Sequence, residues 1–272
     1  MEINIIPKFI DEAASAPAKA VGNTLTDLWS LAIGSHISLW SKKQEIRQQK
    51  NLQSYIQKVE DKTQEIPDEY IKEPELHIIG PVIEASKYYI DSEELREMFA
   101  NLIASSIDIR KSQSTHPAFV EIIKQLSPFD AQNIKVFQNP NDTNGSNGAF
   151  PIVNYGINYG SEGHKILHKH VFLPNLECDT DAIASSLINL QRLGLISIDY
   201  SKDLYDKKLY KRYEDHKLYT EISESIKTNE HHPDLIEILK NLNISFDDVH
   251  PYIQKGSVGV TPLGKDFVDT CL

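Results

Sequence analysis

The stretch Asp91-Ser92-Glu93-Glu94-Leu95-Arg96-Glu97-Met98-Phe99-Ala100-Asn101-Leu102-Ile103-Ala104-Ser105 carries the clearest structural signal in the chain. Asp91 reads as a helix N-cap, Glu94 completes a capping box, and acids fill the first turn, where the helix dipole is positive. Leu95, Met98, Phe99, Leu102 and Ile103 then recur at helical spacing, with Ser106 as one small position among them. The pattern predicts a core helix running to about Arg110. Downstream, Pro117 occupies a first-turn position, and Phe119, Ile122, Ile123 and Leu126 supply a second buried face. Ser127-Pro128-Phe129-Asp130 restarts a helix with an N-cap serine, a proline at the first position and an acid at the third. Upstream, Leu76 to Ala85 predicts a short helix around Gly80-Pro81, after breaks at Pro67 and Pro74.

Further toward the N-terminus, Asp27 and His36 are the only ionisable side chains between Val21 and Trp40. Asn, Thr, Ser and Gly make this stretch too polar for a membrane span. Val21, Leu25, Leu28, Trp29, Ala32, Leu39 and Trp40 form a helical stripe. Packing on the rest of the protein, lying in a membrane interface, and a self-association seam are all consistent with it. Residues 42–65 read as a continuing helix whose start is cationic: Lys42, Lys43, Arg47, Lys50 and Lys58 stand against Glu45 alone. A solvated face and contact with an acidic surface, anionic lipid or phosphate are the two readings of that charge. Leu25, Trp29, Trp40, Lys42, Lys43 and Arg47 are therefore the candidate partner or membrane contacts.

Residues 139–163 change character, with Asn144-Gly145 and Asn147-Gly148 as turn signals, and predict a loop or loose hairpin. Beyond it, Asp179 or Thr180 caps a helix with the stripe Ile183, Leu187, Leu190 and Leu193, ended by Gly194. Leu195 to Tyr200 alternates as a half-buried strand, Ser257 to Val260 offers a return strand, and Thr261-Pro262 opens a closing helix. That order is similar to a winged-helix domain with an insertion at 201–255. The insertion carries Lys207, Lys208, Lys211 and Arg212 among tyrosines, as candidate nucleic-acid contacts, flanked by Asp203, Asp206, Glu214 and Asp215. The expected organisation is a helical N-terminal segment (1–64), a helical core (65–138), a loop-rich linker (139–178) and a winged-helix-like domain (179–272). The fold class expected is mainly α with a small β component.

The chain has 272 residues, enough for one large domain or two small ones, and a formal charge of −11. That charge argues against a protein that binds nucleic acid over its whole surface. Cys178 and Cys271 are far apart and show no metal or redox spacing. With no secretory signal at the start, a cytoplasmic location is expected, with a peripheral place at the inner membrane face as a variant of it.

Two stretches together resemble the Abi-alpha (abortive infection) family: Asp91 to Ser105 quoted above, and His116-Pro117-Ala118-Phe119-Val120-Glu121-Ile122-Ile123-Lys124-Gln125-Leu126-Ser127-Pro128. Gly80-Pro81 upstream and Leu190-Gln191-Arg192-Leu193-Gly194-Leu195-Ile196 downstream complete the pattern, which covers roughly residues 65–200. The resemblance implies a part in bacterial defence, in which an infected cell stops supporting phage growth. It brings no catalytic residues with it.

His164, His168 and His170 are the best candidate metal ligands by residue type, yet the alternation from Leu167 to Phe172 predicts a strand that would separate His164 from the others. His231-His232 reads as a loop and helix start, and His116 as a capping or packing residue. Glu93, Glu94 and Glu97 are explained by dipole compensation. A Gly-rich phosphate loop, a nucleophile elbow and a His-Glu-x-x-His zinc motif are absent from the sequence. The expectation is a non-enzymatic defence protein without cofactor or metal that docks a macromolecular partner, a protein in the first instance. Winged-helix binding of nucleic acid and membrane association through the N-terminal helix are the alternatives.

Overall fold

The computed structural model describes residues 6–34, 45–138, 148–159, 163–174, 179–228 and 248–272. Trp40, Lys42, Lys43, Cys178, His231, His232, the Asn-Gly turns at 144–148 up to Asn147, and the helix expected near Pro233 lie outside them. The fold is mainly α with a small antiparallel β component, and it divides into two compact units, 1–135 with 262–272, and 136–261.

The first unit is built around the segment that opened the sequence reading. Helices α1 (Ala16–Trp29), α2 (Glu45–Gln64), α3 (Leu76–Ser86), α4 (Glu93–Ile107), α5 (Ala118–Ile123) and α6 (Pro128–Ile134) are joined by α10 (Pro262–Cys271) from the C-terminus. α4 is capped by Ser92, one residue later than read: its Oγ accepts from Leu95 N–H. Eleven of its fifteen residues are buried, so it is a central helix rather than one with a single inward stripe. Ser105 and Ser106 let neighbouring backbones come close. Ser105 Oγ donates to Thr270 O at 2.9 Å, Asn101 Nδ2 to Cys271 O at 3.0 Å, and Lys111 Nζ to Asp269 O at 2.5 Å. These donors satisfy the last carbonyls of α10, which have no partner within their own helix. With Phe267 edge-on to Phe119 at 5.3 Å, they explain why α10 belongs with this unit rather than closing the sheet domain as the sequence suggested. α6 has the expected cap: Ser127 Oγ accepts from Asp130 N–H, and Asp130 accepts from Ser127 N–H.

The second unit holds a four-stranded antiparallel sheet in the order β2-β1-β4-β3. Its strands are β1 (Ala149–Tyr159), β2 (Gly163–Val171), β3 (Ile196–Asp199) and β4 (Val249–Val260). Of the two readings given for residues 139–163, a loop or a loose hairpin, the second is the nearer: β1 and β2 form a hairpin-type antiparallel pair that is longer and more regular than expected. The return strand begins at Val249, eight positions before the sequence suggested. α7 (Thr180–Arg192) is capped by Asp179 and ends as read: Gly194 has φ 75°, and Leu195 N–H reaches back to Leu190 O at 3.0 Å. α8 (Lys211–Glu214) and α9 (Lys217–Thr228) cover one face of the sheet. There Tyr155, Tyr210, Tyr213 and Ile222 pack with Val153, Ile157 and Val249. The buried phenols are all bonded: Tyr155 to Tyr213 O (2.8 Å), Tyr213 to Pro151 O (2.6 Å) and Tyr210 to Gly256 O (2.6 Å). These bonds fasten the 201–228 part of the insertion to the strands, and burial raises the Tyr155 and Tyr210 pKa values.

Candidate functional site

Side chains of residues paired across an antiparallel sheet share a face, and successive residues alternate faces. The register therefore defines the second face of the sheet row by row. Ile198, Val258 and Phe150 make one apolar row at the covered end, where Phe150 meets Phe137 and Phe172. Toward the other end the rows become polar and, beyond the buried Asn154 and Gly156 of the central strand, partly open. Asn154 pairs with Gln254, Gly156 with both Tyr252 and Ile166, and Asn158 with both His250 and His164. His164 and His250 are exposed; Asn158, Ile166, Tyr252 and Gln254 are half-buried.

Two aromatic contacts mark this face. The His164 and Tyr252 rings are 5.4 Å apart, and the His170 and Tyr200 rings 5.8 Å. His170 Nδ1 lies 3.1 Å from the Tyr200 hydroxyl. The backbone at His170 has φ 56°, in the left-handed region that a non-glycine residue rarely enters. Asn154 holds it there: Oδ1 accepts from His170 N–H at 2.8 Å, while Nδ2 donates to Gln254 Oε1 at 2.8 Å. The irregular register between Val153 and Gly156 places this network at a bulge, a device that re-aims side chains. The Tyr200 ring lies against Gly256, where an added Cβ would come within 2.6 Å of its Cδ1. Burial, reinforced by Lys169, lowers the His170 pKa below its ordinary 6.5, and burial raises that of Tyr200. At neutral pH the pair is therefore an uncharged imidazole and phenol. Chemically the face offers neutral rings and carboxamides: stacking surfaces together with hydrogen-bond donors and acceptors.

His164 and His170, candidate metal ligands in the sequence, belong to this face, whereas the candidate partner, membrane and nucleic-acid contacts that the structure describes fall elsewhere. Leu25 (0% exposed) and Trp29 (1%) are inside the first unit, Trp29 packing against Phe9 at 5.9 Å and Tyr55 at 5.3 Å. Their apolar surface is used within the chain. Arg47 is exposed. Lys207 is ion-paired with Asp203, Lys208 and Lys211 are exposed, and Arg212 lies 5.7 Å from the Tyr213 ring. Among the described residues no group of three or more His, Cys, Asp or Glu could hold a metal ion. His116 Nδ1 accepts from Ala118 N–H at 3.0 Å, a capping contact. Glu97 bridges to Lys58 (2.8 Å) and Lys62 (3.2 Å), and Glu94 to Gln132 (2.6 Å), so the α4 carboxylates tie helices together. A groove of about 270 Å³ beside α3 and α5 has rims, Glu84–Lys87 and Glu121–Lys124, that neutralise themselves. Asn154, Asn158, Tyr252 and Gln254 drew no notice in the sequence; only their pairing register brings them together.

No described helix is long and apolar enough to cross a membrane. No curated protein and no solved structure matches the chain. A family model described as abortive infection alpha matches residues 47–271, which run from α2 through α10 and include every strand of the sheet. The chain belongs to the abortive infection alpha family, and its place is in the defence by which an infected cell curtails phage growth.

Proposed function

We propose that the protein acts in abortive infection by docking a macromolecular partner, without catalysing a reaction, and that the open sheet face of the second unit is the contact. The observation that carries this reading is the form of the face. It is a partly exposed surface three strands wide, about 10 Å across, with exposed His164 and His250 on the outer strands, and its polar groups are spread along rows rather than gathered at one point. A surface of this kind loses affinity in steps as contacts are removed. A catalytic centre loses its function when one residue goes.

The test is a phage challenge of cells making wild-type, His164→Asp, Tyr252→Asp, His170→Asn or doubly substituted protein at equal abundance. Graded loss that deepens in the double variant supports docking. Abolition by His170→Asn alone, with the other variants fully protective, would make the centre catalytic.

A second reading, association with a membrane surface, is favoured by Leu31, which is 76% exposed directly after α1. Removing the N-terminal 60 residues would be a poor probe, because Leu25, Trp29, Leu52 and Tyr55 belong to the core. Leu31→Asn is the cleaner variant. Flotation with anionic liposomes should fall in that variant, and equal behaviour of the two proteins removes the reading.

A further inference from the structure

His216 stands where the chain turns from α8 into α9, and its carbonyl accepts from Tyr219 N–H and Thr220 N–H. Its ring lies nearly flat on that of Tyr155 in β1, with centroids 6.1 Å apart and planes inclined by 19°. Among the described residues its Nδ1 is buried without a hydrogen-bond partner. An imidazolium at this place meets three opposing conditions. Its Nδ1–H becomes a buried donor with nothing to accept it. Its charge falls at the positive end of the α9 dipole, where the first turn has no acid and begins with Lys217. His168 of β2 repels it.

The other groups on the elements around the ring do little to offset this. Glu221, exposed on the second turn of α9, favours the charge, and Asp215, next in sequence, is exposed to solvent. On α8, Glu214 is bridged to Lys255 of β4 at 3.2 Å, Lys211 is exposed, and Arg212 lies over the Tyr213 ring. Lys165 and Lys169 of β2 are exposed, and His250 of β4 belongs to the opposite face of the sheet. Tyr155 and Tyr219 have phenol pKa values raised chiefly by burial. Burial foremost, with His168 and against Glu221, holds the His216 pKa below its ordinary 6.5.

We propose that His216 is a proton-sensitive latch, whose neutral ring holds α9 on the sheet and whose protonation releases it. The consequence lies in what α9 covers. Ile222 is fully buried and packs with Tyr155, Tyr213 and Val153, so freeing the helix bares an apolar, tyrosine-lined surface. The latch is on the covered face and goes beyond the docking reading, which it does not require. Its sign follows from linkage. The folded state favours the neutral ring, so the contribution is present above the ordinary value of 6.5 and is lost as pH falls below it. One linked proton raises the opening equilibrium by at most about tenfold per pH unit, until the latched form is protonated as well.

The experiment is hydrogen–deuterium exchange of the full-length protein between about pH 7.5 and pH 5.5, corrected at each pH for the intrinsic exchange rate. In wild type the protection of α9 should fall below about pH 6.5, by no more than about tenfold per unit, while that of α7 stays constant. His216→Gln, which cannot take the charge, should remove the pH dependence; His170→Asn, at the other half-buried histidine with a lowered pKa, should keep it. The latch is overturned by constant protection of α9 in wild type, by an equal fall in His216→Gln, by loss of the fall in His170→Asn, or by a parallel fall in α7. Should His216→Gln not fold, NMR titration of the His216 ring in wild type decides together with the wild-type exchange. A midpoint below 6.5 supports the latch, and one at or above 6.5 overturns it.

Discussion

Trp29 shows how the same side chain reads differently alone and in place. On paper an indole on a weakly charged helix suits a membrane interface; in the fold it is 1% exposed between Phe9 and Tyr55. Trp29→Ala should therefore cost about 3–5 kcal/mol of stability. Chemical denaturation would read this as a lower midpoint, and a change below about 1 kcal/mol would contradict the packing described. Glu97 gives a residue-level test with a sign. The Lys58 ammonium foremost, with Lys62, holds its pKa below the ordinary carboxylate value, against the opposing effect of burial. A depressed folded pKa stabilises above the unfolded value and loses that contribution as pH falls through the folded one. Wild type should thus exceed Glu97→Gln in stability at pH 7, and the difference should shrink steadily below about pH 4. A difference independent of pH would mean that the bridges contribute nothing.

Among the elements, the helices were legible because caps and periodicity are local. Ser127-Pro128 with Asp130, and Gly194 after Leu193, specify their boundaries within a few residues of chain. β1 was not legible. Pro151, Gly156 and its asparagines are turn-formers, and residues 150–157 are buried on both sides, so no alternation reveals the strand. Pairing with β2 begins only at Val153, which leaves Pro151 beyond that ladder, where a missing N–H is tolerated. The candidate face was hidden for the same reason: its residues come from strands a hundred positions apart and meet only through register. Two elements make direct tests. Gly194→Ala places a side chain at φ 75° and should cost about 1–2 kcal/mol, read by thermal denaturation. Ending the chain after Thr261 removes α10 and leaves Ser105, Asn101 and Lys111 without their acceptors. Circular dichroism should then report a loss of helix greater than ten residues account for. A loss confined to α10 itself would contradict its central place.

At the scale of the whole molecule, the matched family region spans residues of both compact units and extends beyond the stretch of roughly 65–200 over which the sequence resemblance was read. The first unit buries its core and engages the end of α10 and the Glu97 carboxylate within the chain, while Leu31, Leu76, Tyr88 and Ile109 stand exposed on it. The second unit commits one sheet face to the tyrosine-fastened helices and leaves part of the other open. The polar rows of that second face are the basis on which contact is proposed for the second unit. The most direct measurement is the efficiency of plating of phage on cells carrying Tyr252→Ala protein, at wild-type abundance and with a wild-type circular dichroism spectrum. Protection should fall toward that of cells without the protein. Undiminished protection would contradict the assignment of the open sheet face as the working surface.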